Sequence, residues 1–146
     1  MKIRVGFVAN SSSSSFIGLG WAFESIHELV EKIKEFCPIT EEEFERERYA
    51  NPEYQDYGDY AEYIDNNFEN IFKKYFDYKD ITLHTGPDYT RYIACEIDLD
   101  DNPDTFIKNI LNAKEKFSDN EDNKVIIKLK DEVGKPYIIN ETWYDG

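Results

Sequence analysis

Two cysteines and two histidines in 146 residues leave few soft ligands and no disulfide framework. Cys37, Cys95, His27 and His84 stand apart from one another. None belongs to a Cys-x-x-Cys or His-x-x-x-His pair, which argues against a zinc site and for buried, reduced thiols. No apolar run reaches the length of a membrane span, so no membrane partner is expected. Lys2 and Arg4 are not followed by an apolar stretch of the kind a secretory leader needs, so no such leader is expected. Glycine is too sparse for a phosphate cradle. Gly18-Leu19-Gly20 lacks its third glycine, Phe23 standing there, and no Gly-x-x-x-x-Gly-Lys-Ser/Thr occurs. Asp98 to Asp104 has the acids of a calcium loop but Pro103 and Asn109 where Gly and Glu are required. Cofactors and metals are therefore not expected. Basic side chains are also scarce: 17 against 31 acids, a net charge of −14, which disfavours direct contact with nucleic acid.

What the chain does have is aromatic mass and concentrated acid. Eleven tyrosines and ten phenylalanines argue for a packed core despite the charge, and the length suits one domain spanning 1–146. Between Glu41 and Asn70, eleven acids face only Arg46 and Arg48, a local net of −9 that leaves −5 for the rest. A field of one sign this dense repels itself and weakens the fold. Either it is a solvated, solubilising face, or it meets a basic partner.

Periodicity predicts the elements. Ile3, Val5 and Phe7 alternate with polar neighbours as in a half-buried strand, Asn10 to Ser15 read as a polar loop, and Phe16 to Trp21 read as a second strand. Ser25-x-x-Glu28 and Thr40-x-x-Glu43 are capping boxes opening two helices, the second short, with Phe44 and Tyr49 for a core. Asn51-Pro52 and Gly58 mark a loop, and 59–78 reads as one long amphipathic helix. Strands follow near Ile81–His84 and Ile93–Leu99, then a helix capped by Asn102-Pro103, then alternation over Val125–Lys130 and 137–144 that reads as two more strands. The sum is α+β: a mostly antiparallel sheet of about four to six strands with three or four helices packed on one face.

The segment Gly6-Phe-Val-Ala-Asn-Ser-Ser-Ser-Ser-Ser-Phe-Ile17 resembles a Gly-Phe-Val-Ser-Asn-Ser-Ser-Ser-Ser-Ser-Phe signature that opens many small uncharacterised proteins of bacteriophages, prophages and their bacterial hosts, with Ala9 in place of the usual serine. The resemblance covers the opening of the chain alone and implies no catalytic residue. It implies a protein of the host cytoplasm. There, a small acidic protein would serve as an anti-defence or nucleic-acid-mimic inhibitor of a host nucleic-acid-binding enzyme or defence complex.

Tyr54, Tyr57, Tyr60 and Tyr63 interleave with acids. On one continuous helix each three-residue step turns about 60°, so four rings sweep roughly half the circumference and some must be exposed or partly exposed; if Gly58 breaks the helix, Tyr54 and Tyr57 lie on a loop and the conclusion holds. The alternative is an aromatic lid over the sheet edge. The expected partner surface is Glu41, Glu42, Glu45, Tyr54, Tyr57, Asp59, Tyr60, Glu62, Tyr63, Asp65 and Glu69, offered to a basic protein and without catalysis. A second reading is a small-ligand protein or enzyme with its site at Ser11, Ser12, Ser13, Ser14 and Ser15, served by Arg4, Arg91 or His84. A third is a virion or assembly component.

Overall fold

A computed structural model describes residues 13–76, 80–118 and 123–144. The expected strand at Lys2–Phe7 and the serines Ser11 and Ser12 lie outside the described residues. Within them, strands β1 (Ser13–Phe23), β2 (Thr82–Thr85), β3 (Arg91–Glu96) and β4 (Tyr137–Tyr144) form one antiparallel sheet in the order β2-β3-β1-β4. Seven helices accompany it: α1 (Ile26–Ile33), α2 (Glu41–Glu47), α3 (Pro52–Gln55), α4 (Tyr60–Asn66), α5 (Phe68–Ile71), α6 (Pro103–Ser118) and α7 (Lys124–Glu132), with a 3₁₀ turn at Lys34–Phe36. The class is α+β, with more and shorter helices than the sequence suggests.

Alternation on the strands divides the interior. Leu19, Trp21 and Phe23 of β1 and Ile93 and Cys95 of β3 face the helices, where Leu29, Ile33, Phe44, Ile64, Phe68, Phe117 and Leu129 complete the main core. The opposite face carries a smaller cluster of Phe16, Tyr92, Ala94 and Ile139, drawn from strands alone. Trp21 is wholly buried, packs edge-on against Phe117 at 5.4 Å, and donates its indole N–H to the Gly134 carbonyl at 2.8 Å. Gly134, at φ +112°, ends α7 by donating to Leu129 and Lys130 carbonyls, a left-handed turn that favours glycine.

Four expectations need correction. Ser13–Ser15 are not a loop: they open β1 and pair with Tyr144, Trp143 and Thr142. A low-complexity run can join a ladder when a partner strand satisfies its backbone, since the ladder needs only N–H and C=O groups. The helix over 59–78 is broken at Asn67, whose backbone leaves the helical region (φ −119°, ψ 19°) and whose side-chain amide donates to the Tyr63 carbonyl and the Tyr57 hydroxyl. Asparagine competes for local backbone bonds in this way and is a poor helix interior residue. Val125–Lys130 form α7 rather than a strand: Asn123 accepts from Val125 and Ile126 N–H groups, and Val125, Ile126 and Leu129 are buried with one helical face inward. Short apolar runs fit both periods, and here the cap decides. The 51–58 loop contains the single turn α3, opened by Asn51 accepting from Glu53.

Gly20 fixes how closely β1 and β3 approach. A Cβ there would collide with the Ile93 carbonyl and come within 2.6 Å of Ala94 Cα, both backbone atoms that cannot swing away. Gly20→Ala is expected to destabilise the fold by about 1–3 kcal/mol, as overpacking does, read as a lower urea midpoint at unchanged slope. An unchanged midpoint would show that the strands separate at no cost.

Candidate protein-binding surface

The acidic segment is organised around one ring. Thr40 caps α2 by accepting from Glu43 N–H at 3.1 Å, and α2 carries Phe44 inward to full burial. Three tyrosines close on Phe44 from other elements: Tyr54 of α3 edge-on at 5.5 Å, Tyr60 tilted at 5.7 Å and Tyr63 stacked at 5.4 Å, the last two from α4. Tyr57 meets Tyr63 at 5.5 Å. Arg48 covers the cluster from outside, its guanidinium 5.7 Å from the Phe44 ring, donating to the Tyr57 carbonyl at 2.9 Å and to Glu45 at 3.4 Å. Aromatic pairs at these separations add about 0.5–1.5 kcal/mol each beyond area burial.

Of the tyrosines expected at the partner surface, Tyr60 is turned inward while Tyr54, Tyr57 and Tyr63 keep part of their rings in solvent. Tyr60 is 2% exposed and donates its hydroxyl to the Ile39 carbonyl at 2.5 Å, which withdraws it from any partner contact. Tyr54, Tyr57 and Tyr63 are half-buried against the main core. Sequence spacing set the rings around one helix, or onto a loop if Gly58 breaks it, and did not foretell a shared centre for them. The chain instead supplies its rings from α3, the turn before Gly58 and α4, so they converge on Phe44 from different directions. Burial pushes the Tyr60 hydroxyl well above its ordinary range and the Tyr63 hydroxyl up to about 12.

The carboxylates divide into those tied into the fold and those left in water. Asp59 caps α4 by accepting from Glu62 N–H at 2.8 Å and also takes His27 at 2.8 Å. The His27 hydrogen bond, and after it the Glu62 N–H, hold the Asp59 carboxyl below its ordinary value. Asp65 is joined to Arg91 by two bonds of 2.9 Å in a half-buried pair, which raises the guanidinium's affinity for its proton. Glu62 is exposed, yet one oxygen accepts from Gly58 N–H at 2.7 Å. Glu41, Glu42, Glu45 and Glu69 remain exposed. Glu41 approaches Lys34 only to 4.0 Å, and Glu41, Glu42 and Glu45 rim an open groove of about 660 Å³ with Lys34, Glu35, Thr40 and Tyr60.

Of the residues of the second reading, Ser13–Ser15, Arg91 and His84 are among the described residues and Ser11 and Ser12 are not. Ser13–Ser15 lie within β1. Arg4 is outside the described residues. Arg91 is held by Asp65 and by the Tyr89 and Thr90 carbonyls, and His84 contacts the Ala94 carbonyl at 3.2 Å while packing 4.7 Å from Phe16. Burial lowers the His84 pKa and raises that of the Cys95 thiol. Among the described residues, no three His, Cys, Asp or Glu side chains gather as metal ligands would, and no helix is long and apolar enough to cross a membrane. The Phe44 hub, the Arg48 cover and the Arg91–Asp65 pair went unrecognised in the sequence. Thr40-x-x-Glu43 announced the helix that carries Phe44, and Asp59-x-x-Glu62, a second capping signature, could have located the start of α4.

Two pH effects follow. Asp59's folded pKa is depressed, so its contribution is present above its unfolded pKa and disappears as pH falls through the folded value. His27→Ala is expected to flatten the acid limb of stability against pH in denaturant titrations; an unaltered limb would dissociate the pair from stability. Tyr63's folded pKa is raised, so its contribution is full below its unfolded pKa, near pH 10.0, and is lost as pH rises toward about 12. Tyr63→Phe is expected to remove that alkaline loss. Compared with protein-family models, curated proteins and solved structures, the chain matches none.

Proposed function

We propose that the chain acts by binding a basic protein surface rather than by catalysis, as a small acidic inhibitor that occupies the nucleic-acid groove of a host nucleic-acid-binding protein or defence complex. The observation that carries this reading is the sorting of residues 41–69: the rings point in and Glu41, Glu42, Glu45, Glu62 and Glu69 point out. Recognition then rests on carboxylates, not on phenols. Carboxylates three or four residues apart on a helix stand about 5–6 Å from one another, a spacing comparable with phosphates along one strand.

Two features make the arrangement suited to that task. The helix bearing Glu41, Glu42 and Glu45 is pinned through Phe44, so little ordering entropy remains to be lost on binding. Arg48, one of the segment's two cations, is committed to the Tyr57 carbonyl and Glu45, which leaves the outward field strongly negative. Such a field steers a cationic partner and suppresses competing anionic ones. Setting, partner class and mode of inhibition come from the resemblance of the opening segment and from charge, and are part of the proposal.

The test is capture from host lysate, at low and high salt, with the wild-type chain and the triple variant Glu41→Gln, Glu42→Gln, Glu69→Gln. These three carboxylates make no bond to the aromatic cluster, so the variant is expected to keep its melting temperature. A partner retained at low salt, released by salt or by added nucleic acid, and bound more slowly by the variant is the expected outcome. Equal association rate and equal salt dependence in the two proteins would remove this surface as the interface.

A further inference from the structure

We propose that the outer edge of β4, which no other strand among the described residues covers, is a contact surface for a second copy of this chain, joining two four-stranded sheets into one antiparallel sheet of eight. The direction of the backbone groups follows from the register. Ile97 donates to the Ile17 carbonyl at 3.0 Å, so Ile17 faces β3, and by alternation Phe16, Gly18 and Gly20 bond to their β4 partners Glu141, Ile139 and Tyr137. The N–H and C=O groups of Ile138, Asn140 and Thr142 therefore point away from the sheet. All three residues are exposed, Ile138 at 45%.

Edge strands in isolated proteins are guarded by shortness, proline, lysine, a bulge or a covering element. β2, at the other edge, is four residues long and the turn between α4 and α5 lies over it, with Thr82, Leu83 and Thr85 sharing a hollow with Asn66, Asn67 and Asn70. β4 is eight residues long and contains no proline, lysine or residue of positive φ. Its only charge is Glu141.

The occupant is argued from charge and from self-complementarity. Two chains of net charge −14 repel, and they meet at least cost where acid is thinnest. β4 is such a place, with one carboxylate in eight residues, far sparser than the 41–70 segment. A two-fold axis at Asn140 sets Ile138 opposite Thr142 of the second copy and Asn140 opposite its own image, making about six backbone hydrogen bonds. Glu141 then falls opposite Ile139 of the second copy and does not meet itself. An exogenous basic strand would find little here to attract it.

Sedimentation of the full chain from micromolar to millimolar concentration is expected to show the mass rising from 17.3 kDa toward twice that value. Added salt should favour the dimer by screening like charge, opposite in sign to its effect on the acidic surface, so failure of one proposal leaves the other testable. Asn140→Pro removes an outward N–H without touching the β1 ladder, a position where proline is tolerated. It is expected to remain at 17.3 kDa with unchanged circular dichroism. If it fails to fold, Ile138→Lys and amide exchange give independent readouts: Ile138, Asn140 and Thr142 amides should slow with rising concentration. A wild-type chain that stays monomeric throughout, a dimer indifferent to both substitutions, or protection already present at the lowest concentration would overturn the proposal.

Discussion

The structure depends first on Trp21. It stands on β1, an inner strand bonded to β3 on one side and β4 on the other, and reaches through the main core to the α6 residue Phe117 and the turn carbonyl of Gly134. That single side chain connects the central strand, the longest helix and the turn that launches β4, positions more than a hundred residues apart in sequence. Its N–H is satisfied where a buried donor without a partner would cost about 1–3 kcal/mol. The apolar face of the sheet is aligned with the helices through this contact, and Leu19 and Phe23 on either side extend it along the strand.

A second centre, Phe44, does for the acidic segment what Trp21 does for the sheet. Helices as short as α2, α3, α4 and α5 are marginal in isolation and take their stability from packing. Phe44 and its tyrosines provide it for α2, α3 and α4, and Phe68, packed on Phe72 and Phe76, provides it for α5. The consequence is a division of labour by residue type: rings hold four short helices in place, and carboxylates on the same helices meet the solvent. The high charge of the segment is tolerated because so little of it is near a second buried charge; the described residues include no buried polar or charged side chain.

The sheet was largely legible. The apolar run Phe16–Trp21 and alternation in Ile81–His84, Ile93–Leu99 and 137–144 located the four strands of the sheet, and Ser25, Thr40 and Asn102 were readable as helix starts because capping needs only a short polar side chain at a fixed offset. What was not legible depended on contacts distant in sequence. Nothing near Ser13–Ser15 announces β4, their partner. The Val125–Lys130 run satisfies both periods, and only the Asn123 bonds separate them. Gly58 was readable as a break, but the convergence of rings from α3, the turn before Gly58 and α4 on Phe44 depends on how those separate elements pack, which local spacing does not carry. The acidic character of the surface was legible as composition; which carboxylates are occupied by His27, Arg91 and backbone N–H groups was not.

The order of strands across the sheet also governs when the fold can form. β1 belongs to the first part of the chain made, yet its neighbours are β3 and, at the far end of the sequence, β4. During synthesis the central strand must wait with both edges unsatisfied while the α-helical segment assembles around Phe44. Closure of so long a loop comes late and slowly. Until then, Phe16, Leu19, Trp21 and Phe23 present an adhesive strip, and the dense negative charge of the neighbouring helices is well placed to keep nascent chains from one another.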